Sequence, residues 1–246
     1  MPHVLLLGGT LEAARMAQAL AAAGVEAVYS YAGRTAAPVA APLPMRIGGF
    51  GGVAGLVAYL RAEGIRAVID ATHPFAAQMS AHAVAACEAA GVPLMALERP
   101  AWVPEPGDRW TRVPDVAAAV AALPEAPRRV FLAIGRQNLT PFAAAAHHYL
   151  LRLVDPPEAP PLPGAEVVID RGPFTLEGDL ALMRRVGTEI VVSKNAGGSG
   201  ASAKIAAARV LGLPVIMIDR PAIPARPCAG SVAEVMGWLH QSVPAG

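Results

Sequence analysis

The sequence predicts an α/β protein made of two Rossmann-like domains with parallel sheets and a ligand cleft between them. Short apolar runs alternate with alanine-rich segments of helical length, which is the pattern of a parallel sheet covered by helices. The alternation completes one doubly wound unit, stops at the Pro-rich stretch "WVPEPG" over residues 102–107, and then begins again. A break of this kind between two similar patterns indicates two domains.

The first half follows the order expected of a doubly wound unit. Its predicted elements are strand 4–7, helix 11–23, strand 25–30, strand 45–47, helix 53–63, strand 67–70, helix 76–90 and strand 93–97. The strands are apolar runs of three to six residues, and the helices are richer in alanine and longer. We expect residues 1–98 to form this first domain.

The second half repeats the alternation. Its predicted elements are strand 110–113, helix 116–123, strand 130–134, helix 140–146, strand 148–154, strand 167–169, helix 176–186, strand 190–193, helix 202–211, strand 215–218 and helix 231–240. We expect residues 99–246 to form the second domain. Handedness rules fix local crossovers but not the sheet that a terminal strand joins, so exchange of terminal strands is left open.

Composition narrows the classes of function. The chain has 246 residues, 54% of them hydrophobic, and a formal net charge of +1, which argues against nucleic-acid binding. No apolar run reaches the roughly 18 residues that cross a membrane, and the N-terminus lacks a basic signal-peptide start, so we expect a cytoplasmic protein without a membrane partner. Cys87 and Cys228 lie far apart, and no Cys or His spacing suits a metal, so we expect no metal site.

Polar and glycine-rich residues follow the predicted strands of both halves. In the first half these stretches are "GGTLEA", "YAGRT", "GGFGG" and "ATHPFA", and in the second half they are "GRQNL", "DRGPF", "KNAGGSG" and "DRP". Ligands of open α/β sheets bind beyond the carboxyl ends of the strands. The pattern therefore predicts ligand binding at one end of each sheet.

The first half carries the features of a dinucleotide site. Gly8, Gly9 and Thr10 bend directly into a helix, whose N-terminus favours a phosphate, although an ordinary tight turn would look the same. Arg34 follows the second strand, where NADP enzymes place an arginine for the 2′-phosphate. Gly48 belongs to a glycine-dense strand end that a flat ligand could approach closely, or that is simply a flexible loop.

The stretch "VVSKNAGGSGASAKIAAAR" resembles a phosphate-binding loop in outline. A nucleoside-triphosphatase loop needs Gly, Lys and Ser or Thr where this chain has Ala203, Lys204 and Ile205, so that interpretation fails. Gly198, Gly200 and Ala203 match the dinucleotide fingerprint, but the match is weak in a chain with 24 glycines.

Basic and titratable side chains at the strand ends form a second group of candidates. His73 stands before a proline and an aromatic residue and could exchange a proton near neutral pH, although a solvated histidine is the plainer interpretation. One guanidinium group binds one carboxylate through two parallel hydrogen bonds. Several such groups at strand ends therefore indicate a ligand with many carboxylates. The basic residues at these ends are Arg99, Arg136, Arg171, Lys194 and Arg220.

The ordered set "LLLGGTLEA", "GGFGG", "IDATHPFA", "AIGRQNL", "DRGPF", "VVSKNAGGSGASAKIAAA" and "LPVIMIDRP" resembles the precorrin-6A reductase family of cobalamin (vitamin B12) biosynthesis over nearly the whole chain. The resemblance implies an NADPH-dependent reduction of the C18=C19 double bond of precorrin-6A to precorrin-6B. Hydride would pass from the nicotinamide to C19 while a proton reaches C18.

Combining the resemblance with the strand-end residues gives a hypothesis for the site. His73 would be the catalytic residue at the junction of the halves. The residues expected to bind NADPH are Gly8, Gly9, Thr10, Ser30, Arg34, Gly48 and Thr72. The residues expected to bind the tetrapyrrole are Arg99, Arg136, Arg171, Lys194, Asn195 and Arg220. The loop "KNAGGSGAS" would be mobile and close over the substrate.

Two other functions remain open from the sequence. Another NADPH-dependent reductase or epimerase with a small substrate would need fewer arginines and usually a Tyr-x-x-x-Lys pair, which is absent. An NADPH-binding redox regulator would bind the cofactor without turning over a tetrapyrrole. A transient hand-over of product to the next enzyme of the pathway is also expected. The sequence leaves open the cobalt content of the substrate, the proton donor, the oligomeric state and the role of the Pro-rich loop 155–164.

Overall fold

A computed structural model describes residues 4–31 and 41–242 of the chain. Arg34, the residue predicted to bind the 2′-phosphate, lies outside the described residues. Among the described residues, no helix combines the length and the apolar character needed to span a bilayer.

The described elements alternate as the sequence predicts. In the first part of the chain they are β1 (Val4–Leu7), α1 (Leu11–Ala22), β2 (Ala27–Tyr31), β3 (Met45–Ile47), α2 (Gly52–Ala62), β4 (Ala67–Asp70), α3 (Ala77–Ala90) and β5 (Leu94–Leu97). They continue with β6 (Arg109–Val113), α4 (Val116–Ala121), β7 (Arg129–Ala133), β8 (His148–Leu153), β9 (Glu166–Ile169), α5 (Leu176–Val186), β10 (Ile190–Lys194), α6 (Ala203–Val210), β11 (Pro214–Ile218), β12 (Cys228–Ala229) and α7 (Val232–Ser242).

The strands form two six-stranded parallel sheets within the described residues, which confirms the predicted fold class. The strand orders are β12-β5-β4-β1-β2-β3 and β6-β11-β10-β7-β8-β9. Both sheets share the doubly wound 3-2-1-4-5 order, which is β3-β2-β1-β4-β5 in the first sheet and β9-β8-β7-β10-β11 in the second. The sixth strand of the first sheet, β12, comes from the second half of the chain, whereas the sixth strand of the second sheet, β6, is the first strand of that same half.

The place of β12 in the first sheet corrects the predicted domain boundaries. The chain divides into one unit of residues 1–100 and 222–246 and a second unit of residues 101–221. The predicted break after residue 98 is close to the observed one, but residues 222–242 belong to the first unit and not to the second. The reason is apolar burial, since Val235 and Leu239 of α7 pack in the same core as Leu97 and Ala229, and β12 pairs with β5.

The first sheet is buried on both faces, as parallel sheets are. Successive side chains of β1 point to opposite faces, so Val4 and Leu6 join the core under α1 and α7, while Leu5 and Leu7 join the core under α2 and α3. All four residues of β1 are buried. The apolar run that predicts this strand is therefore explained by helices on both sides.

Two elements of the second half differ from the prediction. The helix predicted over residues 140–146 is a 3-10 helix at Thr140–Ala144, because this short segment is held by one buried side chain, Phe142, and runs straight into β8. A shorter 3-10 turn, Arg136–Asn138, precedes it. Strand β12 has two residues, too few to produce a pattern that the sequence alone would reveal.

Candidate functional site

The first candidate site lies at the carboxyl ends of β1 and β4, where the order of the first sheet reverses. Thr10 joins the loops that follow these two strands. Its Oγ1 accepts a hydrogen bond from the N–H of Ala13 at 3.0 Å, which caps α1, and donates to the carbonyl of Ala71 at 2.9 Å. The N-terminus of α1 is thereby fixed at the crevice where doubly wound sheets bind phosphate.

Two glycines form the bend before α1, each for its own reason. An ideal Cβ on Gly8 would lie 2.7 Å from Tyr29 Oη, inside van der Waals contact, so only glycine fits over this ring. Gly9 has φ +118° and its N–H donates to Tyr29 Oη at 3.3 Å. Burial raises the pKa of Tyr29, so the phenol stays neutral beneath the bend. Gly9 itself is exposed, and space is open above it.

Arg46 organises the glycine-rich strand end and was not predicted as a site residue. Its Nη1 and Nη2 donate to the carbonyls of Gly48 and Gly49 at 2.6 and 2.7 Å, and Nη1 lies 3.5 Å from Oγ of the buried Ser30. The guanidinium also stacks on Phe50, 3.8 Å from the ring centroid. Arg46 lies inside β3 and not after it, so a search of strand ends passes over it.

The loop after β4 holds Thr72 and His73 in place through its own backbone. Oδ1 of Asp70 accepts hydrogen bonds from the N–H and the hydroxyl of Thr72 at 3.1 and 2.7 Å. Nδ1 of His73 accepts from the N–H of Phe75 at 3.2 Å. In the neutral ring the proton is consequently on Nε2, which makes Nε2 the donor.

Arg99 belongs to the first unit, which corrects its predicted place in a tetrapyrrole-binding domain. Its guanidinium pairs with Glu12 in the first turn of α1. The two side chains are 15% and 18% exposed, so this pair is shielded from water. Arg99 therefore balances the charge of Glu12 at the N-terminus of α1.

The second candidate site lies at the carboxyl ends of β7 and β10, where the order of the second sheet reverses. These strands are neighbours in the sheet. Arg136 follows β7 in an exposed 3-10 turn, and Lys194 is the last residue of β10. Two of the predicted cations thus follow neighbouring strands at the position where doubly wound sheets bind ligands. Arg171 is exposed after β9, at the sheet edge.

Asn195 is occupied with structural hydrogen bonds. Its Oδ1 accepts from the N–H of Trp102 at 2.8 Å, and its Nδ2 donates to the carbonyl of the same residue at 3.0 Å. Arg220 supports the same loop, since its Nε and Nη2 donate to the carbonyls of Asn195 and Ala196 at 3.1 and 3.2 Å. These contacts orient the loop after β10.

Trp102 tethers the glycine-rich part of that loop. Its indole N–H donates to the carbonyl of Gly198 at 2.8 Å, and its ring centroid lies 4.8 Å from Nζ of Lys204. Lys204 is buried and donates to the carbonyl of Ala201 at 2.7 Å, a contact within the loop that leads into α6. The loop of residues 194–202, which the sequence predicts to be mobile, is therefore tethered at Asn195 and at Gly198. Trp102 was not predicted because its partners are about 90 residues away in sequence.

Comparison with known proteins identifies the family of the chain. A precorrin-6A reductase of Rhodobacter capsulatus is 66% identical over 250 residues, covering 100% of both chains. A solved structure of CobK precorrin-6A reductase superposes with a TM-score of 0.95 at 66% identity, covering 99% of this chain and 98% of that one. A cobalt-precorrin-6A reductase of Salmonella typhimurium is 30% identical over 240 residues, covering 89% of this chain and 87% of that protein. The model of the precorrin-6x reductase family (CbiJ/CobK) matches residues 3–240, and the chain belongs to this family.

Proposed function

We propose that the protein reduces the C18=C19 double bond of precorrin-6A with NADPH, giving precorrin-6B in cobalamin biosynthesis. The observation that carries the proposal is the 66% identity to a precorrin-6A reductase over the whole chain. The relative named for a cobalt-containing substrate is 30% identical, which favours a metal-free tetrapyrrole. The enzyme works in the cytoplasm and hands its product transiently to the next enzyme of the pathway.

The first unit binds NADPH. The capped N-terminus of α1, the open bend at Gly9 and the hydroxyl of Ser30 suit the phosphates and ribose of a dinucleotide. Gly8 and Thr10 shape the phosphate site, Gly48 and Thr72 line it, and Arg34 selects the 2′-phosphate. Bound NADPH supplies the hydride, and the protein contributes orientation and charge.

The second unit binds the tetrapyrrole through its carboxylates. Arg136, Arg171 and Lys194 contact the acetate and propionate chains directly, because guanidinium and ammonium groups at strand ends suit such ligands. Asn195 and Arg220 contribute by holding the loop that carries Lys194. Arg99 acts on the cofactor side, where its charge balances Glu12.

His73 acts at the reacting end of the cofactor. In its neutral form Nε2–H donates a hydrogen bond to the macrocycle and orients it, while the proton for C18 comes from water or another acid. The alternative function, a redox regulator, would bind NADPH without turning over precorrin-6A. An assay of precorrin-6A turnover distinguishes it from the reductase.

The test is a spectrophotometric assay of purified precorrin-6A with NADPH, following the absorbance of the cofactor and of the macrocycle together. We expect coupled loss of both signals. Arg136→Gln and Lys194→Gln should each raise the KM for the tetrapyrrole about tenfold or more, since each removes a hydrogen bond between charged groups.

The matched control is Arg128→Gln, because Arg128 is 46% exposed in a surface pair with Glu189. This variant should keep the wild-type KM. NADPH binding with no turnover of precorrin-6A would overturn the proposed reaction. Unchanged KM values for the Arg136 and Lys194 variants would overturn the substrate assignment alone.

A further inference from the structure

The segment that returns to the first unit brings an arginine to the base of the Thr72–His73 loop. Arg226 precedes β12, and its side chain is 9% exposed. Its Nη2 lies 2.9 Å from Oε2 of Glu98, the residue after β5. Its Nε lies 3.8 Å from Oδ2 of Asp70, the last residue of β4. One buried guanidinium thus faces two carboxylates on neighbouring strands.

Asp70 links this guanidinium to the Thr72–His73 loop. While Oδ2 faces Arg226, Oδ1 accepts both hydrogen bonds of Thr72. The Thr72 hydroxyl also lies 3.3 Å from Oγ of Ser80, near the start of α3. Arg226, Asp70 and Thr72 therefore form a continuous chain of contacts that ends one residue before His73.

The surroundings of Asp70 make its counter-charge important. Asp70 is 2% exposed, and burial together with the Asp70 charge raises the pKa of the nearby Cys87 thiol to about 12. A carboxylate in such a site is costly unless a positive charge lies close to it. Within the described residues, Oδ2 of Asp70 and Nε of Arg226 make no hydrogen bond, so their attraction is one of charge.

The returning segment is anchored well enough to hold Arg226 in position. The carbonyl of Pro227 accepts from the N–H of Ala96, and the carbonyl of Ala229 accepts from the N–H of Glu98, both at 2.9 Å. Val235 and Leu239 of α7 are buried behind it. Arg226 is consequently held in position by the segment that directly follows it.

We infer that Arg226 is a positioning residue of the reductase, which sets the Thr72–His73 loop through Asp70. The inference rests on the proposed function, because it takes Thr72 and His73 to act at the reacting end of the cofactor. It gives the exchanged C-terminal segment a role in catalysis in addition to its role in the core. Arg226 itself touches neither ligand.

The first experiment compares Arg226→Gln with Arg226→Lys and with Glu234→Gln. Arg226→Gln should lower kcat about tenfold or more, because small misplacements of reacting groups are costly, while the KM for precorrin-6A stays within about twofold. Arg226→Lys keeps the charge and should recover part of the loss. Glu234→Gln alters hydrogen bonds to Gly230 and Ser231 in the same segment without reaching Asp70, so it should keep the wild-type kcat.

The second experiment observes the loop without cofactor or substrate. The chain has six histidines, and the ring ¹⁵N signals of His73 are identified in the full-length protein by their loss in His73→Ala. Arg226→Gln should shift the His73 signals, and Glu234→Gln should not. Unshifted His73 signals together with a wild-type kcat in Arg226→Gln would overturn the inference; if that variant does not fold, the same two results in Asp70→Asn, which removes the partner charge, would do so.

The two experiments separate this inference from the proposed function. Full activity of His73→Ala would refute the catalytic role of His73, while a shift of the His73 signals in Arg226→Gln would still support the structural coupling. Loss of kcat with unshifted signals would contradict a route through the Thr72–His73 loop.

Discussion

His73 shows at the scale of single residues how one backbone contact directs the chemistry of a side chain. Nδ1 accepts the N–H of Phe75, two residues further along the loop. A doubly protonated ring would have to give up this bond, because Nδ1 would then carry a hydrogen itself. In the neutral ring this contact leaves the proton on Nε2, which is then the nitrogen that donates a hydrogen bond.

Substitution of His73 tests this assignment. His73→Gln retains an amide donor near the position of Nε2 and should keep more activity than His73→Ala, which we expect to lose about 10²-fold in kcat. The kcat of the wild type should not fall as the pH rises from 6 to 8, because the neutral ring suffices. The measurement is kcat against pH for the three proteins.

A different result would identify His73 as a proton donor. In that case kcat of the wild type would fall above the ordinary histidine pKa of about 6.5, and His73→Gln would be as inactive as His73→Ala.

Glycines and arginines of the site differ in how far the sequence predicts them. Gly8 and Gly9 are predicted as a bend, because two glycines before a helix have few other uses, and the Tyr29 ring supplies the steric reason. Arg46 and Arg226 are not predicted, because their partners depend on which strands become neighbours. Arg99 is predicted as a ligand of the substrate, but its partner Glu12 lies 87 residues away in sequence.

The loop after β10 shows at the scale of elements how a glycine-rich segment is held in one conformation. Both amide atoms of Asn195 bind the backbone of Trp102, and the Trp102 indole binds Gly198. Gly197 and Gly198 both have φ +69°, a left-handed conformation that side chains disfavour. The glycines thus serve a defined turn, and the tethers reduce its freedom.

Asn195→Ala should destabilise the protein by about 1–3 kcal/mol, since it removes both hydrogen bonds to the part-buried backbone N–H and carbonyl of Trp102. The measurement is urea unfolding followed by tryptophan fluorescence. Ser199→Ala in the same loop is the control, because Ser199 is exposed, and its effect should stay within about 0.5 kcal/mol. Equal effects of the two substitutions would show that the Asn195 contacts do not hold the loop.

The whole molecule is defined by the return of the C-terminal segment to the first unit. β12 completes the first sheet although it follows β11, while β6, the first strand of the second unit, completes the second sheet beside β11. The chain therefore passes between the units twice. Each passage carries residues that hold strand-end loops, namely Arg99 and Trp102 in the first and Arg220 and Arg226 in the second.

Removal of residues 222–246 should weaken the first unit selectively. The truncated chain loses β12 and the buried Val235 and Leu239, each worth about 1.5–3 kcal/mol of apolar burial. Hydrogen exchange should then speed up in β4 and β5, with β7 and β10 as the internal reference. Equal loss of protection in both sheets would contradict the division into two units.

The sequence by itself determined the class of the fold, most of its elements and the strand-end loops of the candidate sites. Strands such as Val4–Leu7 and Ala67–Asp70 and helix Leu176–Val186 have the predicted bounds, because apolar periodicity and helix length are local properties. The bend at Gly8 and Gly9 and the Thr72–His73 loop can likewise be predicted from neighbouring residues in the sequence. Their place at the strand ends follows from the general rule for open α/β sheets.

Only the tertiary structure decided which residues hold these loops in place. Asp70 meets Arg226, Arg99 meets Glu12 and Asn195 meets Trp102 across separations of 87 to 156 residues. Such contacts depend on the order of strands in each sheet and on the return of β12 to the first sheet. That order is set by burial of apolar faces such as α7 against the first core, a property of the whole fold that no local pattern contains.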